Sequence, residues 1–246
     1  MQNYYGNLCT EMYEILHGQA PADELNFYLS YAETGTKILE PLCGSGRSLV
    51  PFLERGFDIR GIDLSKEMLE KLKQKAPSAR VTQTDIANYA ACEKFDYIFI
   101  PSGSISLFTD MRICKNILQK MRELLAPEGR FVFAVDTVFN KCNEDNEYRT
   151  GASVKTKEGY DLILKWKNHY DEKTQTQFLP SIYELYDDAK LLQSETMDFQ
   201  THLYRYGEME NYLKECGFKN VLTYRNYLKE PALNDACEMF IYECHV

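Results

Sequence analysis

Residues 37–47, Lys-Ile-Leu-Glu-Pro-Leu-Cys-Gly-Ser-Gly-Arg, constrain the fold of this chain more than any other stretch. An apolar run, Ile38-Leu39, ends in an acid, Glu40, and passes through Gly44 and Gly46 into a helical pattern. A second short strand then ends in Asp63, seventeen positions after Gly46. This order of strand, glycine turn, helix and acid-ended strand builds a nucleoside-sized crevice at the carboxyl ends of parallel strands.

The rest of the chain continues the rhythm. Helical periods over residues 7–17 and 21–33 precede the first strand, with apolar positions at Leu8, Met12, Ile15 and Leu16, then Leu25, Tyr28, Leu29 and Ala32. A helix is expected from Ser45 to Arg55, with Gly56 closing it, and a strand from Asp58 to Asp63. Ser65 suits the N-cap of a helix that buries Met68, Leu69 and Leu72. Strands follow at 80–83 and 95–100, then a helix over 111–125, a turn at Pro127-Glu-Gly129 and a strongly apolar strand over 130–136. Strands alternating with helices in this way predict a doubly wound, Rossmann-like α/β sheet of seven strands.

The pattern changes after the fifth strand. Alternating runs at 162–170, 178–187 and 191–203 predict three antiparallel strands with one wet face. A helix over 206–217 and strands at 221–228 and 239–244 close the chain. The expected organisation is an N-terminal helical lid (1–35), a Rossmann-like domain (36–150 and 204–246) and an antiparallel β insertion (151–203).

Composition narrows the partners. The net charge of −9 and the lack of any Lys/Arg run longer than two oppose nucleic acid as a partner. No apolar stretch approaches the roughly 20 residues that span a bilayer, and Met1–Gly6 carries no secretory pattern. None of the eight cysteines forms a C-x-x-C pair, so no metal is expected, and reduced, buried thiols in a cytoplasmic protein are the plain reading.

A dinucleotide fingerprint needs G-x-G-x-x-G so that a pyrophosphate rests on the helix N-terminus. Here only Gly44 and Gly46 are present, and Glu40 would repel a pyrophosphate but suit a cationic ligand. At these residues the chain resembles the class I S-adenosylmethionine-dependent methyltransferases. The resemblance covers about residues 36–136: Glu40, Gly44 and Gly46 form the first motif, and Asp63-Leu-Ser-Lys-Glu-Met-Leu69 matches D-x-S-x-x-M-L. The resemblance implies S-adenosylmethionine as cofactor. Glu40 would face its methionyl ammonium, Gly44 and Gly46 would admit the methionyl and ribose portions, and Asp63 would take the ribose hydroxyls. Leu64 and Met68 would line the adenine, Asp85 would receive the adenine amino group, and Ile86 would pack on the ring. Pro101 and Ser102 would stand in the loop beneath the sulfonium. In one departure, Leu42 occupies the position of the family's first glycine. Taken alone, Asp85 also reads as a helix cap and Met68 as core.

The segment after the fourth strand, Ile-Pro-Ser-Gly-Ser, lacks the N/D-P-P-Y/F box of relatives that methylate bases or glutamine amides. Relatives with an antiparallel roof act on small molecules, so the resemblance implies a small-molecule acceptor, with nitrogen favoured slightly over oxygen. Near the methyl group the candidates are Tyr4, Tyr5 and Tyr13 from the lid, Ser102 and Ser104 from the loop, and Trp166, His169, Tyr204 and Arg205 from the roof. His169 is the expected base because imidazole titrates near neutrality, with Tyr13 beside it; a half-exposed strand histidine without a role is the plain alternative. A monomer or a homodimer both fit. Two other functions stay open: a cofactor-binding protein without transferase activity, and a nicotinamide oxidoreductase.

Overall fold

The structure is a computed structural model and describes residues 3–246. Residues 1 and 2 of the expected lid lie outside the described residues. Helices α1 (Asn7–His17) and α2 (Ala22–Leu29) lead into β1 (Lys37–Pro41), α3 (Leu49–Glu54), β2 (Asp58–Asp63), α4 (Lys66–Lys75), β3 (Arg80–Gln83), β4 (Phe95–Ile100), α5 (Met111–Leu124) and β5 (Leu125–Asp136). Five strands follow: β6 (Arg149–Lys155), β7 (Asp161–Trp166), β8 (His169–Asp171), β9 (Thr176–Asp187) and β10 (Lys190–His202). Helix α6 (Glu208–Glu215), β11 (Lys219–Tyr224) and β12 (Met239–His245) complete the chain.

Seven strands form one sheet in the order β11-β12-β5-β4-β1-β2-β3. Strands β1 to β5 are mutually parallel, while β12 runs antiparallel to both β5 and β11. The chain builds outward from β1 to β3, then returns to place β4 on the other side of β1. That reversal opens a crevice between the carboxyl ends of β1 and β4. The central strands are apolar on both faces because helices cover both. Phe52 stacks on Phe99 at 4.8 Å on one side, and Phe131 on Phe133 at 4.5 Å on the other. Burying each such ring contributes about 1.5–3 kcal/mol.

Four expectations need correction. The helix after β1 begins at Leu49 rather than Ser45, because Gly44 and Gly46 sit at φ +50° and +82°, backbone that no helix contains. Pro127–Gly129 is not a separate turn; it lies inside β5, where the pairing with β4 slips between Phe95–Leu125 and Tyr97–Arg130. The run 162–170 is broken at Lys167-Asn168 into β7 and β8. The second sheet has five strands rather than three, in the order β10-β9-β7-β6 with β8 paired to β9.

Helix α1 lies on this second sheet. Leu8, Cys9 and Met12 pack against Leu162, Leu164, Tyr183 and Met197. Its own N-cap is Gly6, with no capping side chain. Glu195 of β10 supplies the cap from across the interface, accepting the N–H groups of Leu8 at 3.0 Å and Cys9 at 3.2 Å. A carboxylate at that end also complements the helix dipole. Helix and sheet therefore fix each other, and Tyr13 of the helix lines the crevice. Among the described residues no helix is long and apolar enough to cross a membrane. All eight cysteines are free thiols, six of them buried.

Candidate active site

The crevice has a volume of about 340 Å³. Its floor comes from the loops after β1, β2 and β3, through Leu42, Gly44, Asp63, Leu64, Met68, Asp85 and Ile86. Asn3, Tyr4 and Tyr5, together with Tyr13 of α1, also line it. Ser104, Leu107 and Phe108, from the segment after β4, close the side.

Asp63 organises the floor. Its Oδ2 accepts the Gly44 N–H at 2.8 Å and its Oδ1 accepts the Ser65 N–H at 2.8 Å. Burial raises its pKa, and the backbone donors Ser65, Gly44 and Leu64 oppose that shift by favouring the carboxylate. Each oxygen keeps a second lone pair, so the side chain can still receive a diol. Ser65 caps α4 as expected, taking the Met68 N–H at 3.1 Å. Asp85 serves as a cap too: its Oδ1 accepts the Ala87 N–H at 2.8 Å while the side chain lines the crevice. The two readings of Asp85 are thus compatible.

Glu40, at the end of β1, is 2% exposed, and its Oε2 has no hydrogen-bond partner. Ser45 Oγ, in the same loop, is likewise buried without one. Burial pushes the Glu40 carboxyl well above the usual carboxylate range; the Arg47 guanidinium opposes this, and Glu24 and Asp63 add to it. The Leu49 N–H bonds the carboxyl as well, so one Glu40 oxygen and the Ser45 hydroxyl are what is left unpaired, each at a cost of about 1–3 kcal/mol. The donor set fits a ligand that brings an ammonium.

Leu42, in the family's first-glycine position, adopts φ +58°, the left-handed backbone that glycine takes freely. The chain keeps the loop shape without the glycine, and the leucine side chain faces the crevice. Gly46 is required for a different reason from the one expected. A Cβ there would lie 2.8 Å from Leu72 Cγ and 3.0 Å from Val50 Cγ2, at φ +82°. Its lack of a side chain lets α4 pack onto the loop, and it does not line the crevice. Gly46→Ala is expected to cost roughly 2–4 kcal/mol, lowering the melting temperature by about 5–15 °C. Thermal denaturation checks this; an unchanged melting temperature would mean that the loop and α4 move apart freely.

Pro101 and Ser102 stand behind the crevice wall rather than on it. Ser102, at φ +59°, accepts from Arg47 at 2.7 Å and donates to Glu24 Oε1 at 2.9 Å. Glu24, from α2, also pairs with Arg47 directly and accepts from the Tyr227 hydroxyl at 3.1 Å. This network, centred on the buried Glu24, ties the loops after β1 and β4 to α2. Glu24 and Tyr227 belong to no motif, and Arg47, at the end of the 37–47 stretch, shows its partners only in the fold.

The expected base is not brought to the crevice. His169 lies at the surface of β8, its Nδ1 3.1 Å from Glu144 and its ring stacked on Phe178. Trp166 packs against Gly151, Tyr204 is fully buried with its hydroxyl 3.4 Å from Cys114 Sγ, and Arg205 turns outward to Gln175 and Asp235. Tyr13 does line the crevice, edge-on to Tyr5 at 6.0 Å. Burial raises its phenol above the ordinary value, so it stays neutral near pH 7 and can donate a hydrogen bond rather than take a proton.

An open α/β sheet of this order, with acids at the ends of β1 and β2 around a glycine loop, places a crevice at the switch point where such sheets bind their ligands. Comparison with known proteins agrees. A methyltransferase-domain family matches residues 38–129. The protein named "Putative methyltransferase YqeM" of Bacillus subtilis (strain 168) is 30% identical over 134 residues, 52% of this chain and 54% of that one, so the match spans about half the length of that relative. A solved S-adenosylmethionine-dependent methyltransferase from Clostridium acetobutylicum superposes with a TM-score of 0.78 at 18% identity, covering 96% of each chain. The sugar N-methyltransferase KedS8 from Streptoalloteichus sp. gives 0.73 at 17% identity, over 94% of this chain and 90% of that one. Residues 38–129 thus match a methyltransferase domain, and the chain shares the fold of solved S-adenosylmethionine-dependent methyltransferases over nearly its full length.

Proposed function

We propose that the protein transfers the methyl group of S-adenosylmethionine to the nitrogen of a small amine. The observation that carries the reading is the lining of the crevice, which brings Tyr4, Tyr5 and Tyr13 together with Ser104, Leu107 and Phe108 of the segment after β4. Ring faces attract cations, and an amine acceptor arrives as one. The sugar N-methyltransferase KedS8 shares the fold, which supports nitrogen over oxygen.

In this reading the bound cofactor supplies an electrophilic methyl group on a sulfonium. Glu40 pairs with its ammonium, Asp63 with the ribose hydroxyls and Asp85 with the adenine amino group, while Leu64, Met68 and Ile86 enclose the base. Gly44, at φ +50° with nothing nearer than Met68 Sδ at 3.9 Å from a Cβ position, leaves the backbone open to the ligand. Pro101 and Ser102 act indirectly, by holding the loop after β4 in place. Tyr13 orients the acceptor, and the gain is chiefly one of alignment and exclusion of water. The 3–35 segment and the 149–202 sheet flank the acceptor end. The acidic net charge disfavours nucleic acid as acceptor, and eight unpaired thiols suit a reducing cytoplasm.

Calorimetry with S-adenosylmethionine, S-adenosylhomocysteine and NADH comes first, then transfer of labelled methyl to amino sugars, amino acids and their hydroxyl counterparts. Micromolar binding of the first two ligands, none of NADH, and label on amines alone are expected. Label on the hydroxyl compounds would move the reaction to oxygen. Tight cofactor binding without transfer to any of them would favour a binding protein.

A further inference from the structure

Residues 3–5 tie together two parts of the crevice lining. Asn3 holds one end. Its Nδ2 donates to the Leu107 carbonyl at 2.8 Å and to the Gln200 carbonyl at 2.9 Å, and its Oδ1 accepts the Gln200 N–H at 2.8 Å. Its own N–H donates to the Asp198 carbonyl at 3.1 Å. At the other end the Tyr4 hydroxyl donates to Glu67 Oε2 at 2.7 Å, and the Tyr5 carbonyl accepts from Ser65 Oγ at 2.7 Å. Leu107 follows β4 and Ser65 follows β2, the two strands that flank β1 in the sheet. Leu107 and Ser65 both line the crevice, as do Asn3, Tyr4 and Tyr5. The segment therefore crosses the carboxyl end of β1, where Leu42 and Gly44 line the same crevice.

The residue types suit a latch. Asn3 sits at φ +51°, left-handed backbone that asparagine adopts more readily than most side chains. Its amide donates and accepts at once, so one side chain serves both β10 and the segment after β4. Beyond Gly6 the chain is held differently. Leu8, Cys9 and Met12 of α1 are buried against the second sheet, and Glu195 caps the helix. Asn3 and Tyr4 are only half-buried and are held by polar bonds. A segment held in this way opens at low free energy while a packed helix stays in place.

We propose that Asn3 is a positioning residue that latches residues 3–5 as a strap across the crevice, and that release of the strap sets how fast S-adenosylmethionine enters and S-adenosylhomocysteine leaves. This rests on the cofactor reading above. Every anchor is a protein atom on β10, on the segment after β4 or at the start of α4, so the strap closes over an empty and a loaded crevice alike. Entry and exit then both wait for the fraction of molecules in which the strap is open. A latch of this kind changes the two rates together and leaves affinity alone. A residue that only touches the ligand changes affinity, chiefly through dissociation.

The test uses the full chain, S-adenosylhomocysteine as probe and surface plasmon resonance to read both rate constants. Asn3→Gly keeps the left-handed backbone available and removes the three side-chain bonds. Each such bond changes an equilibrium by about 2–10-fold. Association and dissociation are therefore both expected to accelerate about tenfold or more, with Kd within about threefold of the parent's. Amide exchange gives a second readout. The Gln200 N–H, which donates to Asn3, is expected to lose protection, while the Leu8 and Cys9 N–H groups under the Glu195 cap keep theirs. Rate constants equal to the parent's overturn the proposal and leave the cofactor reading standing. Faster dissociation with unchanged association does the same, since Asn3 would then be a contact of the ligand. A Gln200 amide equally protected in both proteins, or loss of protection at Leu8 and Cys9 as well, also removes the latch. If the parent binds no S-adenosylhomocysteine, the proposal and the cofactor reading fall together.

Discussion

Asp63→Ala is expected to weaken S-adenosylmethionine binding at least tenfold. The side chain has two duties, and alanine ends both. Its Oδ2 holds the Gly44 N–H and its Oδ1 the Ser65 N–H, each at 2.8 Å, so its removal frees the glycine loop from β2 and leaves two donors to water. In the bound state it also forfeits the acceptor for the ribose hydroxyls. A hydrogen bond to a charged group contributes about 1.5–3 kcal/mol, and about 1.4 kcal/mol corresponds to tenfold in affinity. One such bond lost is enough. Calorimetric titration of the variant decides it, with Asp63→Asn as the gentler change; an affinity equal to the parent's would remove Asp63 from the cofactor site.

Glu40→Gln should split stability from binding. The free protein holds a carboxyl whose Oε2 has no partner, and burial raises its pKa far above the usual range. Below the unfolded value of roughly 4.3, both folded and unfolded chains carry the proton and the group costs nothing. As pH rises past that value the unfolded chain releases its proton first, and folding stability falls until the folded pKa is passed. Glutamine has no proton to lose. The ligand-free variant should therefore be more stable near pH 7 by on the order of 1 kcal/mol, about 2–4 °C in melting temperature for a chain of this size. The gain should vanish near pH 4. Cofactor affinity should fall about tenfold or more, because the neutral amide cannot pair with an ammonium. Melting curves at both pH values and a titration measure the two effects; a variant that is less stable and binds equally well would refute the assignment.

Much of the seven-stranded sheet was legible because its strands are short apolar runs bounded by glycine and acid, and that punctuation is local. Strand β6 was not: it is a mostly exposed edge strand, and its residues show no apolar alternation. That Asp63, Met68 and Asp85 line the crevice was legible for the same reason as the sheet, since they stand at fixed offsets from strand ends. The acceptor side was not. His169 drew attention by its side-chain chemistry, but whether a strand histidine points to the crevice or to Glu144 depends on a tertiary placement that spacing does not encode. The Glu24–Arg47–Ser102 network joins residues from three separate elements and has no sequence signature at all.

The loop after β1 has a consequence for assembly. Leu42 holds a backbone conformation it does not prefer, and nothing local compensates. What keeps the loop in shape arrives from β2: the Cys43 N–H reaches the Ile62 carbonyl at 3.1 Å and the Gly44 N–H reaches Asp63. A chain that has not yet laid β2 beside β1 has no such loop. The shape of this loop thus depends on the pairing of β1 with β2 rather than on a contiguous peptide, and a binding isotherm counts molecules in which that pairing has formed.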